Sequence, residues 1–156
     1  MAIEVGAPAP DFSLQTADNE TVTLSGLRGK IVVLYFYPKD DTPGCTAQAC
    51  SFRDNIASLL DHGVTVLGVS PDNESSHKKF AEKFRLPFPL LADIDHALAD
   101  EYGVWAEKSM YGKKYWGNER TTFIIDKNGI VKKIFNKVKV EGHTAEVLNA
   151  LEELPA

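Results

Sequence analysis

IVVLYFYPKDDTPGCTAQAC, residues 31 to 50, passes from an unbroken apolar run into a polar turn and then into a stretch that holds both cysteines of the chain, Cys45 and Cys50. The run Ile31 to Tyr37 reads as a central strand buried on both faces of a sheet. After it, Thr42 suits a helix N-cap, and Pro43 suits the first helical position, where its missing N–H does no harm. A buried strand that turns straight into a helix is half of an α/β unit. In open α/β sheets, ligand sites gather at the carboxyl ends of such strands.

Outward from this unit, VTVLGVS (Val64 to Ser70) is a second buried strand. Between the two strands, Phe52, Ile56, Leu59 and Leu60 form an apolar stripe at helical spacing that ends at Gly63, a residue suited to a left-handed C-cap. Further helices are expected over about 74 to 85 with Phe80 and Phe84 inward, about 96 to 102, and about 144 to 154 with Val147, Leu148 and Leu151 inward. TTFIID, Lys127-Asn128-Gly129 and IVKKIF predict two strands joined by an Asn-Gly hairpin, and ETVTLSGL alternates like an edge strand. WAEKSMYGKKYWG, residues 105 to 117, interleaves lysines with aromatics and reads as a loop near the active site. The element order predicts an α/β fold, a central mixed sheet flanked by helices, in the order of a thioredoxin-like fold. No repeat, low-complexity tract or linker interrupts residues 1–156, so a single domain is expected.

With 156 residues, 44% of them hydrophobic, the chain can bury about 70% of its unfolded surface and needs no disulfide staple. It has no apolar stretch of about 18 residues, and MAIEVGAPAPDF has neither the basic nor the apolar region of a leader, so a cytoplasmic protein without a membrane partner is expected. A net charge of −5 argues against nucleic acid as a partner. In a reducing compartment, paired cysteines are more often catalytic or redox-sensing than structural.

Cys45 and Cys50 are too far apart in sequence for a C-x-x-C motif and have no second pair to complete a zinc site. Cys45 falls in the first helical turn, where unpaired backbone N–H groups and the positive end of the helix dipole favour thiolate over thiol. It is the candidate nucleophile. The alternative is an inert core thiol, and the polar turn of residues 39–44, expected at the surface, argues against that. Cys50, deeper in the helix near Ala47 and Ala49, is either a reactive partner or a small packing residue. On an intact helix, two Cα atoms at i and i+5 lie about 8.6 Å apart, whereas a disulfide needs less than about 7 Å. A bridge therefore requires the first turns to unwind, and a bond formed that way is easily reduced.

PKDDTPGCTAQAC resembles the active-site segment of the peroxiredoxins, and a second cysteine five positions on resembles their bacterioferritin comigratory protein, or peroxiredoxin Q, subfamily. The similarity extends to GAPAPDFSLQTADNETVTLSGLRGK, like the family's N-terminal β-hairpin, and to NERTTFIIDKNGIV, like its late strand pair. The resemblance implies a peroxidatic Cys45 and a resolving Cys50. It puts Pro38 and Thr42 on the Pro-x-x-x-Thr-x-x-Cys pattern and Arg120 on the distant active-site arginine. Without it, Pro38 is equally a strand terminator and Arg120 a surface charge beside Glu119.

The implied activity is a thiol peroxidase acting on hydrogen peroxide or organic hydroperoxides through a Cys45–Cys50 disulfide, reset by thioredoxin or a similar dithiol. No metal, haem, flavin or nucleotide cofactor is implied. Gln48 stands where many family members carry glutamate, so no acid–base role is expected of it. No further cysteine follows Cys50, which speaks for a monomer over disulfide exchange between subunits. Asp93, Asp95 and His96 read as a helix start, not a metal site, and His62, His77 and His143 form no spaced ligand set. Two rival functions are a thiol-disulfide oxidoreductase and a redox-switched binding or chaperone-like module.

Overall fold

A short hairpin of β1 (Ser13–Gln15) and β2 (Thr21–Thr23) precedes the central sheet in the computed structural model, which describes residues 3 to 154. The chain continues through β3 (Ile31–Phe36), α1 (Pro43–Asp54), α2 (Ile56–Asp61), β4 (Val64–Ser70), α3 (Glu74–Phe84), β5 (Leu90–Ala92) and α4 (Ala97–Glu101). It closes with β6 (Trp105–Met110), β7 (Lys113–Asn118), β8 (Thr121–Ile125), β9 (Val131–Phe135) and α5 (His143–Glu152). The five-stranded sheet has the order β5-β4-β3-β8-β9. β3 runs parallel to β4, and β4 to β5, while β8 is antiparallel to both β3 and β9. This is the expected mixed sheet flanked by helices.

The position of β3 explains its composition. Val32, Leu34 and Phe36 face one apolar layer with Phe12, Leu24, Tyr102 and Phe123, while Val33, Tyr35 and Tyr37 face the other with Cys45, Phe52, Phe80 and Val147. Neither face meets water, so every position of the strand is apolar. Gly68, opposite Tyr35 in β4, leaves room for that ring: a Cβ there would stand 2.9 Å from the Tyr35 hydroxyl.

The helix expected to run unbroken to Gly63 is interrupted at Asn55, which leaves helical geometry at φ −110°, ψ 14° while its side-chain amide bonds the Ser51 carbonyl at 2.8 Å. The break turns Leu60 outward, 63% exposed, instead of into the expected stripe. Gly63 does take the left-handed conformation, at φ 69°. Of ETVTLSGL only Thr21–Thr23 is strand. Ser25–Leu27 forms a 3-10 turn, with Ser25 N–H donating to Asp11 and Gly26 N–H to Thr23.

Residues 105 to 117, read as a loop, fall almost entirely in the antiparallel β6–β7 hairpin. Its turn residues Tyr111 and Gly112 both have positive φ, 53° and 78°, as a tight type I′ turn requires. α4 is shorter than expected, and its start carries the acidic residue foreseen there: the Asp93 carboxylate accepts the N–H groups of Leu98 and Ala99 at 3.0 and 2.9 Å. Among the described residues no helix is long and apolar enough to cross a membrane.

Candidate active site

The chain leaves β3 through a tightly held turn. Tyr37 N–H bonds the Val69 carbonyl at 3.0 Å, and the buried Asn118 side chain donates to the Tyr37 carbonyl at 3.1 Å. Pro38 follows, half-buried. Thr42 is extended, at φ −105° and ψ 155°, and accepts the first helical bond from Thr46 N–H at 2.8 Å, so it is the N-cap by backbone geometry. Its side chain does not cap. The hydroxyl donates instead to the Lys39 carbonyl at 2.9 Å, a local bond that competes with capping. Among the described residues no side chain therefore takes up the N–H groups at the start of α1, where Gly44 and Cys45 lie.

Cys45 is 2% exposed and packs in the same apolar layer as Ala49 and Phe52. The expectation that the polar turn would leave it at the surface does not hold. The turn is polar on its outer side, but Cys45 lies in the first turn of a helix whose inner face is buried. Among the described residues one polar side chain bonds to it: Arg120, the residue before β8, places Nη2 at 3.4 Å from the Cys45 sulfur. The Nη1 of Arg120 donates to Gln48 Oε1 at 2.6 Å. Gln48 is one helical turn from Cys45 and 1% exposed, so it braces the guanidinium against the thiol.

Gly44 makes room for this contact, since a Cβ there would stand 3.1 Å from Arg120 Nη2. Lys108 in β6 lies in the same field. Burial lowers its pKa, Arg120 lowers it further, and Glu119 and Cys45 oppose them. On the other side, the Tyr35 ring lies tilted against Phe52 with centroids 4.9 Å apart, and burial raises its phenol well above the ordinary range, so the hydroxyl stays neutral.

Of the residues singled out in the sequence, Cys45 and Arg120 meet directly. Pro38 and Thr42 frame the turn, and the Thr42 hydroxyl is engaged with Lys39. Cys50 is half-buried further along the intact α1, and both thiols are free. Sequence reasoning missed Gln48 as the brace of Arg120 and Gly44 as the gap it fills. The i, i+3 spacing of Cys45 and Gln48 carried the first signal. Nothing local carried the second, because Arg120 arrives from far along the chain.

The AhpC/TSA family profile matches residues 5–134. The putative peroxiredoxin bcp of Coxiella burnetii is 52% identical over 151 residues, covering 97% of this chain and 100% of that one. Peroxiredoxin Bcp of Bacillus subtilis is 51% identical over 154 residues, covering 99% and 98%. Among solved structures, a cysteine-to-serine mutant of PrxQ from Xylella fastidiosa superposes with a TM-score of 0.92 at 35% identity, covering 97% of each chain. The bacterioferritin comigratory protein of Xanthomonas campestris, described for its alkyl peroxide reduction activity, gives 0.88 at 40% identity over 96% of each. Such agreement over nearly the full length of both partners means that the chain belongs to the AhpC/TSA family, among the Bcp or PrxQ peroxiredoxins.

Proposed function

We propose that this peroxiredoxin reduces hydrogen peroxide and small organic hydroperoxides with Cys45 as the attacking thiol and Cys50 as the resolving one, and that thioredoxin or a similar dithiol resets it. The Arg120–Cys45 contact carries this reading: a cation that cannot deprotonate lies against one of the two cysteines and not the other. The Cys45 thiolate attacks the nearer oxygen of ROOH. The O–O bond breaks, its electron pair leaves on the distal oxygen, and that oxygen takes a proton and departs as ROH, or as water from hydrogen peroxide.

Charge growing on the departing oxygen is met by Arg120 and by the unpaired amides at the start of α1. The Thr42 hydroxyl joins them by turning from the Lys39 carbonyl to the substrate, exchanging one hydrogen bond for another. Pro38 shields the site from water. The Cys45 sulfenic acid then condenses with the Cys50 thiol, forming the S–S bond and releasing water. Alkyl hydroperoxides enter the proposal through the activity described for the Xanthomonas relative. We read residues 1–156 as one cytoplasmic, monomeric unit that needs no cofactor.

Peroxide consumption coupled to thioredoxin, its reductase and NADPH tests the function. Many turnovers per protein are expected. A single stoichiometric oxidation would instead favour a redox-switched binding module, and insulin reduction without peroxide a thiol-disulfide oxidoreductase.

The disulfide makes its own demand. With the Cα atoms of Cys45 and Cys50 beyond bridging distance on the intact α1, oxidation has to exchange helical hydrogen bonds for the covalent link. In hydrogen exchange, amides 46 to 51 are expected to lose protection in the disulfide form, while 32 to 36 and 65 to 69 in β3 and β4 keep theirs. Unchanged protection of α1 would require a different resolving partner.

Gly44 separates activity from stability. Its backbone is one that alanine tolerates, and alanine in a helix is favoured over glycine by up to about 1 kcal/mol. The added Cβ would push the guanidinium off the thiol by a few tenths of an ångström. Gly44→Ala is therefore expected to unfold no earlier than the unaltered protein, yet to oxidise roughly tenfold more slowly in stopped-flow.

A further inference from the structure

His77 in α3 is completely buried, and no step of the peroxide reaction uses it. Both of its ring nitrogens face acceptors. Nδ1 lies 2.7 Å from Oδ2 of Asp40, and Nε2 lies 2.9 Å from the carbonyl oxygen of Leu91 in β5. A carbonyl cannot donate, so Nε2 carries a hydrogen. Asp40 receives two more donors, the Tyr37 hydroxyl on Oδ1 at 2.5 Å and the Ser76 hydroxyl on Oδ2 at 2.8 Å. Burial, with the Asp40 charge adding to it, raises the Tyr37 phenol well above its ordinary range, so that hydroxyl remains a donor. Every polar atom of the two side chains thus has a partner, and the short Nδ1–Oδ2 contact joins them into one buried network.

Asp40 lies in the turn that carries Pro38 and Thr42 and leads into the helix of Cys45. Its own N–H donates to Asp72 Oδ2 at 2.8 Å, and Ser70 at the end of β4 donates to the same oxygen at 2.6 Å. The next residue, Asp41, sits at φ 55°, a left-handed conformation that a non-glycine residue keeps only where its surroundings fix it. Outside, Asp41 pairs with Lys83 at 2.9 Å, but both side chains are about half exposed and the pair holds weakly. The firm attachment is inside, at Asp40, where one residue ties the turn to α3, to the end of β4 and, through His77, to β5.

We propose that the buried, hydrogen-bonded His77–Asp40 pair positions the peroxide-reducing site by clamping the stem of the 38–42 turn, so that the folded first turn of α1, where Cys45 meets Arg120, outweighs the unwound one. The proposal rests on Cys45 being the attacking thiol. A segment tied at its stem has fewer unwound conformations, and this disfavours the unwound form. Releasing the stem then acts on two steps in opposite directions. Oxidation by peroxide, which needs the folded turn, slows. Disulfide formation, which needs the unwound turn, keeps its rate or quickens. Less sulfenic acid then survives to meet a second peroxide, in which Cys45–SOH and ROOH give Cys45–SO₂H and ROH. A merely structural role would not lower the oxidation rate and the sulfinic yield together while the protein stays folded.

The test compares the unaltered protein with His77→Leu, His77→Asn and Ser76→Ala, each confirmed as folded. His77→Leu is expected to oxidise at Cys45 about 10- to 100-fold more slowly and to give less sulfinic acid per turnover under excess peroxide. His77→Asn, whose amide can donate to Asp40 in place of Nδ1, should recover part of both, and Ser76→Ala should shift both slightly in the same direction. Peptide mass spectrometry of a Cys50→Ser protein checks separately that the first oxygen arrives on Cys45, so a wrong thiol is not mistaken for a wrong clamp. A folded His77→Leu with an unaltered rate and sulfinic yield overturns the proposal. If that variant does not fold, Ser76→Ala and the ring ¹⁵N spectrum of the unaltered reduced protein decide. An Nε2–H held against the Leu91 carbonyl and protected from solvent exchange is expected for His77, and a freely exchanging ring or an unmoved Ser76→Ala overturns the proposal.

Discussion

Cys45→Ser is expected to lose all reaction with peroxide, whereas Cys50→Ser is expected to react once and stop at a sulfenic acid. A serine hydroxyl does not ionise near neutral pH, so the guanidinium at 3.4 Å has no anion to stabilise, and an alcohol is far too weak a nucleophile to open the O–O bond. Cys50 cannot substitute, because it lies farther along α1, and the Arg120 guanidinium donates to Cys45 and Gln48 instead. In Cys50→Ser the attacking thiol, its brace and its cation are untouched, and only the condensation that releases water is missing. One equivalent of peroxide followed by intact-mass and peptide analysis distinguishes the two. An added oxygen on Cys50 of the Cys45→Ser protein, with turnover retained, would reverse the roles.

Much of the fold was legible because β3 is buried at every position and β4 at all but Thr65, and strands covered on both faces are predominantly apolar. The β6–β7 hairpin was not legible for the opposite reason. It lies outside the main sheet with Tyr115 40% and Trp116 59% exposed, so no buried face imposes an alternation, and its turn is made by Tyr111-Gly112 without the usual asparagine. The break at Asn55 fell within a continuous apolar stripe, and a periodic pattern carries no mark of a side chain that turns back on its own helix.

The site divides in the same way. Thr42-Pro43-Gly44 marks a helix start and so locates Cys45. Its burial depends on the layer formed by Phe52, Tyr35 and the helices around them, which no local pattern encodes. The Thr42 hydroxyl had two acceptable partners within a few residues, and the bond to Lys39 won over the cap. Arg120 was reached only through the family resemblance, since an arginine beside a glutamate has no signature of its own.

Arg120→Met tests that distant residue most directly. Methionine keeps much of the side-chain length and packing while removing the charge and both donors. Nη2 of Arg120 faces the Cys45 sulfur at 3.4 Å, and in the mechanism proposed above the guanidinium also donates to the oxygen on which charge appears as the O–O bond breaks. Deleting one such preorganised donor in other enzymes raises barriers by about 2 to 4 kcal/mol, so the second-order rate of Cys45 oxidation should fall roughly 30- to 1000-fold.

The fold pays less, because Arg120 is only partly buried and the main local consequence is that Gln48 Oε1 loses its donor, worth about 1 to 3 kcal/mol. Stopped-flow in a Cys50→Ser background, well below the unfolding midpoint, isolates the rate effect from that loss. Arg120→Lys should fall between, since an ammonium keeps the charge but cannot span Gln48 and the thiol with a planar fork. If Arg120→Met oxidised at nearly the unaltered rate, the guanidinium would be a bystander and the cation serving Cys45 would have to be sought elsewhere, with Lys108 in β6 next in line.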